Sequence, residues 1–332
     1  MSRNFAMEYD ESVIGGMMNR ITVAMALYRP NMKWLAEELE SIERQTYKDF
    51  CVIAWNDCPE DTYDYESFFR EHMPSIPFRI VGGERNLGTT GAFEKLTEMA
   101  ETPYIAYCDQ DDIWCEDKLD VLLSTIETER ANLVYSDVIV IDADSNVTAS
   151  HISAVRPRHI FYSGKDALPH LLGKNFVVGC TTIMKTETAQ AAIPFPKCVF
   201  HDWWLVVYAA ATGKIVMAPK PLVKYRIYGG NQSSILAGIE DKEAYYRERI
   251  LTYYEFMREA ADRLKGNVEV EAALKWSLAR KEYFSHPTLQ SLKVMWAQRN
   301  KEPWKIYFET VLPFMSNVLL RWIIRELKSG RL

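Results

Sequence analysis

The chain has 332 residues, 48% hydrophobic and 25% charged, an ordinary balance for a soluble globular protein with a full core. Its net charge of −6 gives no basic footprint for nucleic acid, and its six cysteines form no C-x-x-C pair, which argues against a zinc site. Residues 1 to 20 carry acids and two glycines but no apolar signal core, and no run has the length and purity of a membrane-spanning helix. The cysteines, Cys51, Cys58, Cys108, Cys115, Cys180 and Cys198, fit buried free thiols in a reducing compartment.

After an N-terminal tail (1–19), Ile21 to Leu27 reads as a first strand, ending in the loop Tyr28-Arg29-Pro30-Asn31. Apolar residues at Met32, Leu35, Leu39 and Ile42 have helical spacing, and Phe50 to Trp55 is a second strand ending in the polar turn Asn56-Asp57-Cys58-Pro59. A helix near 63–71 and a third strand, Phe78 to Val81, complete a β-α-β-α-β order that predicts a parallel sheet with right-handed crossovers. Arg85-Asn86-Leu87-Gly88-Thr89-Thr90-Gly91 then opens another helix. Its glycines allow close backbone approach, but it is neither a Walker loop nor a dinucleotide fingerprint.

The next strand, Tyr104 to Cys108, delivers Asp109-Gln110-Asp111-Asp112-Ile113-Trp114, three carboxylates within four residues. Open α/β sheets place ligand sites at the carboxyl ends of their strands. Clustered carboxylates repel, and a divalent cation is the simplest compensation, with hard oxygen ligands suiting Mg²⁺ or Mn²⁺. The plain alternative is a solvated turn that caps the following helix, which runs to about Glu129.

Asn132 to Ile141 predicts one long strand, Asp142 to Asn146 a hairpin turn, and 151–163 an irregular basic loop. A short helix near 165–172 precedes a strand over Phe176 to Met184, in which Gly179 signals a close backbone approach. His201-Asp202-Trp203-Trp204 opens a helix; one tryptophan is expected in the core and the other at a site. Short strands near 214–217 and 222–227 lead to the polar loop 228–234. From Ile239 the pattern is helical, with breaks near Gly266, Pro287 and Pro303.

Taken together, Leu27-Tyr28-Arg29-Pro30, Asn56-Asp57, Arg85-Asn86-Leu87-Gly88, Asp109-Gln110-Asp111-Asp112, Gly179-Cys180-Thr181, His201-Asp202-Trp203-Trp204 and Tyr225-Arg226 resemble the family 2 glycosyltransferases of GT-A fold, most of all the rhamnosyltransferase type. The similarity covers about residues 20 to 235, with 236–332 as a helical extension. It implies an α/β domain with a mostly parallel central sheet that binds a dTDP- or UDP-linked sugar, rhamnose being the favoured one. Leu27, Tyr28, Asp57, Asn86, Gly88, Asp109, Asp112 and Trp114 would line the donor pocket. Asp111 and Asp109 would hold Mg²⁺ or Mn²⁺, with Asp111 the more direct ligand. Gly179, Cys180, Thr181, Trp203 and Trp204 would border the acceptor, a glycan or lipid-linked glycan. Asp202 would be the general base of an inverting transfer. Tyr228 stands where related sequences often carry a metal-binding histidine, and a phenol is the poorer ligand at neutral pH.

Two other classes compete. A nucleotidyltransferase is expected to carry a Gly-rich basic loop after its first strand, which Tyr28-Arg29-Pro30-Asn31 lacks. A non-catalytic sugar-nucleotide or glycan-binding protein would not need Asp109, Asp111 and Asp202 together. The tail 304–332 is apolar with clustered basic residues at its end, which suits peripheral contact with the inner face of a membrane, packing on the catalytic domain, or a subunit contact in a homo-oligomer.

Overall fold

The computed structural model describes residues 19–228, 239–297 and 303–328. Strands β1 (Ile21–Leu27), β2 (Phe50–Asn56), β3 (Phe78–Gly82) and β4 (Tyr104–Cys108) alternate with helices α1 (Met32–Glu43), α2 (Tyr65–His72) and α3 (Gly88–Met99). The short strand β5 (Ile113–Trp114) and helix α4 (Lys118–Glu129) follow. Next come β6 (Leu133–Tyr135), β7 (Val138–Ile141), β8 (Val147–Ala149), α5 (Ala167–Leu171), β9 (Thr182–Lys185), α6 (Thr186–Ala191), α7 (His201–Thr212), β10 (Ile215–Met217) and β11 (Val223–Arg226).

Local chemistry explains several boundaries. Asn31 caps α1 by accepting from the backbone N–H groups of Lys33 and Trp34, and Asp64 does the same for Ser67 in α2. The inward stripe of α1 is Leu35, Leu39 and Ile42, all fully buried.

Seven strands form one sheet in the order β10-β6-β9-β4-β1-β2-β3. All neighbours are parallel except β9, which is antiparallel to both β4 and β6. The chain leaves β1 toward β2 on one side and returns through β4 on the other, so the strand order reverses between β1 and β4. That is where a doubly wound sheet opens a crevice at its carboxyl edge. A second sheet, β5-β11-β7-β8, folds over this edge.

Two expected strands are shorter than their apolar runs. The run over 132–141 is split between the two sheets, because Asp137 turns inward and accepts the backbone N–H groups of Val138 (2.7 Å) and Ile152 (3.1 Å). The strand expected over 176–184 survives only as β9, and Gly179–Thr181 is a 3₁₀ turn. Burial, not pairing, selected its apolar residues: Val177, Cys180 and Thr181 are each at most 3% exposed.

The C-terminal extension holds α8 (Lys242–Tyr245), a π-helical turn to Leu251, α9 (Thr252–Arg263), α10 (Val268–Ser285), α11 (Leu289–Ala297), α12 (Pro303–Val311) and α13 (Asn317–Lys328). It is not a loose appendage. Phe256, Met257 and Trp276 share one core cluster with α3 and α7. Arg280 and Glu309 form a buried ion pair between α10 and α12, with the Arg280 guanidinium 4.6 Å from the Trp276 ring centroid. The predicted breaks at 266, 287 and 303 fall at helix ends, and Pro313 sits in a 3₁₀ turn between α12 and α13. No helix among the described residues is long and apolar enough to cross a membrane. All six cysteines are free.

Candidate active site

The acids leave β4 at the crevice, and three elements hold them there. Ile113 and Trp114 pair antiparallel to β11, which turns the acid segment back under the small sheet. From β11, the backbone N–H of Arg226 donates to Asp112 Oδ1 at 2.9 Å. Its buried guanidinium donates to the Asp111 carbonyl (2.7 Å), the Asp142 carbonyl (3.1 Å) and Ser145 Oγ (2.9 Å), and pairs with Glu37 at 2.7 Å. Gln110 faces the other way and clasps the backbone of Tyr28, accepting from its N–H (2.8 Å) and donating to its carbonyl (3.0 Å). The end of β1 and the acid segment are thereby one unit.

On the donor side, Leu27 is fully buried and contributes through its carbonyl, which accepts the N–H of Asp57 at 2.8 Å. Tyr28 is 48% exposed and presents its ring at the crevice. Asp57 is buried and its carboxylate is already engaged. It accepts from Trp55 Nε1 (3.1 Å) and from the backbone N–H groups of Leu87 and Gly88 (both 2.8 Å). Asn86 donates to the Asp57 carbonyl at 2.8 Å, and Gly88, at φ +70°, makes the turn into α3 that no side-chain-bearing residue makes easily. Asp57 is therefore first a positioning residue for this turn; a carboxylate has about four acceptor sites, so one is left for a ligand. Beside it lies a cavity of about 370 Å³ lined by Arg29, Met32, Cys58, Glu60, Tyr63 and Tyr65 among others.

Behind the acids the environment is dry. Asp109, Asp112 and Cys180 bring one ligand atom each within 4.8 Å of one another. Burial and the neighbouring acids raise the Asp109 carboxyl far above the usual range, and burial with the Asp111 charge pushes Asp112 up to about 7. Asp112 Oδ2 has no hydrogen-bond partner. Glu38 on α1 is fully buried beside them and is raised by burial and by Asp112. Besides Arg226, Lys118 is a buried cation, 0% exposed; its Nζ donates to the Cys180 carbonyl at 2.7 Å and lies 3.0 Å from the Trp114 ring centroid. Burial lowers its pKa to about 8.

These donors fit a hard divalent cation. Oxygen atoms converge, one is orphaned, and the acids disfavour one another's charge. The thiol of Cys180 does not fit, since burial raises its pKa well above normal and keeps it protonated. Asp112 has a carboxylate oxygen within 4.8 Å of one on Asp109 but is 1% exposed, whereas Asp111 is only half-buried. Asp111 Oδ2 accepts from the Tyr228 hydroxyl at 3.1 Å, so the phenol at the histidine position reaches the acid segment.

On the acceptor side, Asp202 stands in the first turn of α7, against the Gly179 turn, where a Cβ on Gly179 would lie 3.2 Å from Asp202 Cβ. The missing Cβ lets the carboxylate approach the turn this closely. Burial pushes Asp202 up to about 6, offset in part by donors from Trp203, Asn175 and Gly179. Its charge also raises Asp109, so the two carboxylates share one field. His201 beside it is stacked on Phe93 and kept neutral by burial, which lowers its pKa to about 3.

Three side chains expected at the site are scaffold instead. Trp204 is 0% exposed and donates its indole N–H to the Ala192 carbonyl. Trp203 donates to the Leu171 carbonyl at 2.7 Å and packs on Phe256 of the extension, ring centroids 5.0 Å apart, so its face is covered. Trp114, 2% exposed, lies under Lys118 with its ring face covered. Cys180 and Thr181 are also buried, the Cys180 thiol against Asp109 and Asp112.

The family model described as glycosyl transferase family 2 matches residues 22–189. The chain belongs to that family. An uncharacterized glycosyltransferase of Methanocaldococcus jannaschii, MJ1057, is 26% identical over 70% of this chain and 79% of its own length. The dTDP-rhamnosyl transferase RfbG of Shigella flexneri is 27% identical over 64% of this chain and 74% of its own. Two further curated relatives are matched over 62% and 64% of their lengths. Among solved structures, S. aureus TarS (1–349, in complex with UDP-GlcNAc) superposes with a TM-score of 0.59 at 14% identity, covering 94% of this chain and 92% of that one, which shows the shared GT-A fold. Membership in a glycosyltransferase family sets the nucleotidyltransferase alternative aside.

Gln110, Lys118, Arg226 and Glu38 were not among the expected site residues of this glycosyltransferase. Gln110 and Arg226 lie inside quoted motifs and carried a positional signal. Lys118 and Glu38 look like surface charges of amphipathic helices, and only the packing turns them inward.

Proposed function

We propose that this glycosyltransferase is an inverting, metal-dependent enzyme of cell-surface polysaccharide synthesis in the cytoplasm. It moves a sugar from a nucleoside-diphosphate donor to a hydroxyl of a glycan or lipid-linked glycan. One observation carries the reading: Asp202 packs on the Gly179 turn, and Cys180 of the same turn has its thiol within 4.8 Å of the Asp109 and Asp112 carboxylates, so the carboxylate of α7 and the acid cluster after β4 are brought together. Sugar transfer needs positive charge at a departing diphosphate and a base at the attacking hydroxyl, on opposite faces of the sugar. Asp111 and Asp109 would hold Mg²⁺ or Mn²⁺, which would supply the positive charge. Asp111 is preferred over Asp112 because a ligand shared with a substrate diphosphate has to reach the open crevice, and Asp112 is 1% exposed.

The chain's own residues do the rest. Asp57, Asn86 and Gly88 shape the wall beside the nucleoside, with Tyr28 offering an exposed ring to the base. Gln110 keeps Tyr28 in register with the acids. Gly179 lets Asp202 come forward, and Asp202 takes the acceptor proton as the new bond forms. One base and one displacement invert the anomeric carbon. Similarity to a dTDP-rhamnosyl transferase supports dTDP-rhamnose as donor, and similarity in fold to a protein crystallised with UDP-GlcNAc keeps UDP-linked hexoses in view. The test is a donor-hydrolysis and transfer screen over purified sugar nucleotides with Mg²⁺, Mn²⁺ or chelator. Turnover of one donor, abolished by chelator, is expected. Tight donor binding with no hydrolysis or transfer under any condition overturns the reading and favours a binding protein on the same fold.

A further inference from the structure

The extension ends in two helices that carry large apolar residues on their outer faces as well as on their inner ones. On α12, the inner face carries Ile306 and the paired Glu309, both at most 2% exposed. Its outer face carries Trp304 (76% exposed), Tyr307 (47%) and Val311 (52%), at the spacing of one helical stripe. The connecting turn exposes Phe314 (74%), and α13 continues with Val318 (79%), Leu319 (46%) and Trp322 (52%). Phe308 of α12 shares a cluster with Leu320 and Ile324 of α13, so both helices pack on one body and turn these residues away from it. The charge on the inner side is neutralised by the Arg280–Glu309 pair. On the outer side Arg321 and Arg325 are exposed at the far end of the stripe, and the sequence adds Lys328 and Arg331 beyond it.

We propose that the outer face of α12–α13 is a docking surface for an anionic lipid bilayer. Soluble monomers rarely expose contiguous apolar patches above a few hundred Å². A protein partner would also cover such a face, but the composition favours lipid. Tryptophan and tyrosine with aliphatic residues suit the headgroup boundary, and a basic cluster at one end complements anionic headgroups. Neither helix spans a membrane, so the contact lies in the interface plane. The proposal rests on this face alone and stands whichever donor or acceptor the enzyme uses.

The test is co-sedimentation of the full chain with vesicles of phosphatidylglycerol and phosphatidylcholine, beside vesicles of phosphatidylcholine alone. Binding to the anionic vesicles is expected to fall as salt is raised. The triple variant Trp304→Ser, Phe314→Ser, Trp322→Ser should lose at least tenfold in partitioning, with thermal unfolding and donor hydrolysis unchanged, since none of the three is a core or site residue. Arg321→Gln with Arg325→Gln should remove the preference for anionic lipid while leaving residual apolar binding. No sedimentation of the parent chain at low salt overturns the proposal, as does triple-variant binding equal to the parent's. A vesicle-inert chain that self-associates through this face, shown by sedimentation velocity with the triple variant monomeric, also overturns it and assigns the face to a second copy.

Discussion

Replacing Asp202 by Asn separates proton transfer from every other role of the site. The amide keeps the shape and still accepts the Trp203 N–H, which the carboxylate binds at 2.6 Å. A positioned general base contributes about 10²–10⁴-fold, so kcat should fall by that factor, equivalent to roughly 3–5 kcal/mol of barrier. Donor affinity, read by calorimetry with a nucleoside diphosphate and metal, should change less than about threefold. The pH dependence follows from the carboxyl's position at about 6. The base form is about nine-tenths populated at pH 7 and about one-tenth at pH 5, so the parent rate should climb with pH through 6 and level off, and the variant should lack that limb. Stability moves the other way. The folded-state pKa lies above the ordinary value of 3.8, so folding favours the protonated form and stability declines as pH rises from about 4 to 6. Above pH 6 the parent carries the full penalty, at most about 3 kcal/mol and less where the partly open site admits screening water. Asp202→Asn should thus unfold at a higher temperature than the parent at pH 7.5 and converge with it near pH 4. A variant that keeps transfer, or that loses donor binding along with transfer, refutes the assignment of the base.

The other expectations concern the donor side and its support. Asp111→Ala should abolish metal-dependent turnover and weaken donor binding at least tenfold, and parent-like rates in metal-containing buffer would remove Asp111 from the ligand set. Asp57→Ala should weaken UDP and dTDP alike, whatever sugar is attached, because the turn at Leu87 and Gly88 loses two charge-assisted bonds of about 1.5–3 kcal/mol each. Parent-like affinity of the variant for free UDP and dTDP would make Asp57 a folding residue only. Lys118→Met should cost about 3–5 kcal/mol in chemical denaturation, since it strands the buried acids without their cation. Adding Glu38→Gln should recover a large part of that loss; strict additivity of the two changes would show that Glu38 and Lys118 do not interact.

The scaffold was legible wherever period and punctuation agreed. Strands β1, β2 and β4 are short apolar runs stopped by Pro, Asn or Asp, β3 stops at Gly82-Gly83, and the βα alternation allows few other topologies. The acid segment was legible because carboxylates at a strand end have few structural uses. The errors share a cause. Over 132–141 and 176–184 an apolar run signalled burial and was read as pairing, but Asp137 and Gly179 break the ladder from within. Trp114 is expected at the donor pocket and one of Trp203 and Trp204 at the site because aromatic side chains serve both roles, and which face is covered depends on packing from distant elements, Lys118 for one and Phe256 for another. Lys118 and Glu38 were invisible for the same reason, since a charged residue on a helix is solvated in most proteins.

The buried charges give the acid cluster a consequence for metal affinity. Glu38, Asp109, Asp111 and Asp112 crowd one neighbourhood, and two buried cations answer them, Lys118 and Arg226. Arg226 is shared with Glu37 and with main-chain carbonyls, so its charge is largely committed to holding the fold of the segment. Lys118 alone leaves the acids under-compensated, which is why burial and mutual repulsion hold Asp109 and Asp112 high. Near neutral pH the cluster therefore retains protons that an isolated pair of carboxylates would have released. A divalent cation entering the crevice has to displace them, because only the ionised oxygens are ligands. Apparent Mg²⁺ or Mn²⁺ affinity should rise between pH 6 and 8, and calorimetry in buffers of different ionisation enthalpy should show a net proton released per cation bound. Binding with no proton release across that range would mean that the acids are already ionised, and that Lys118 and Arg226 compensate them fully without metal.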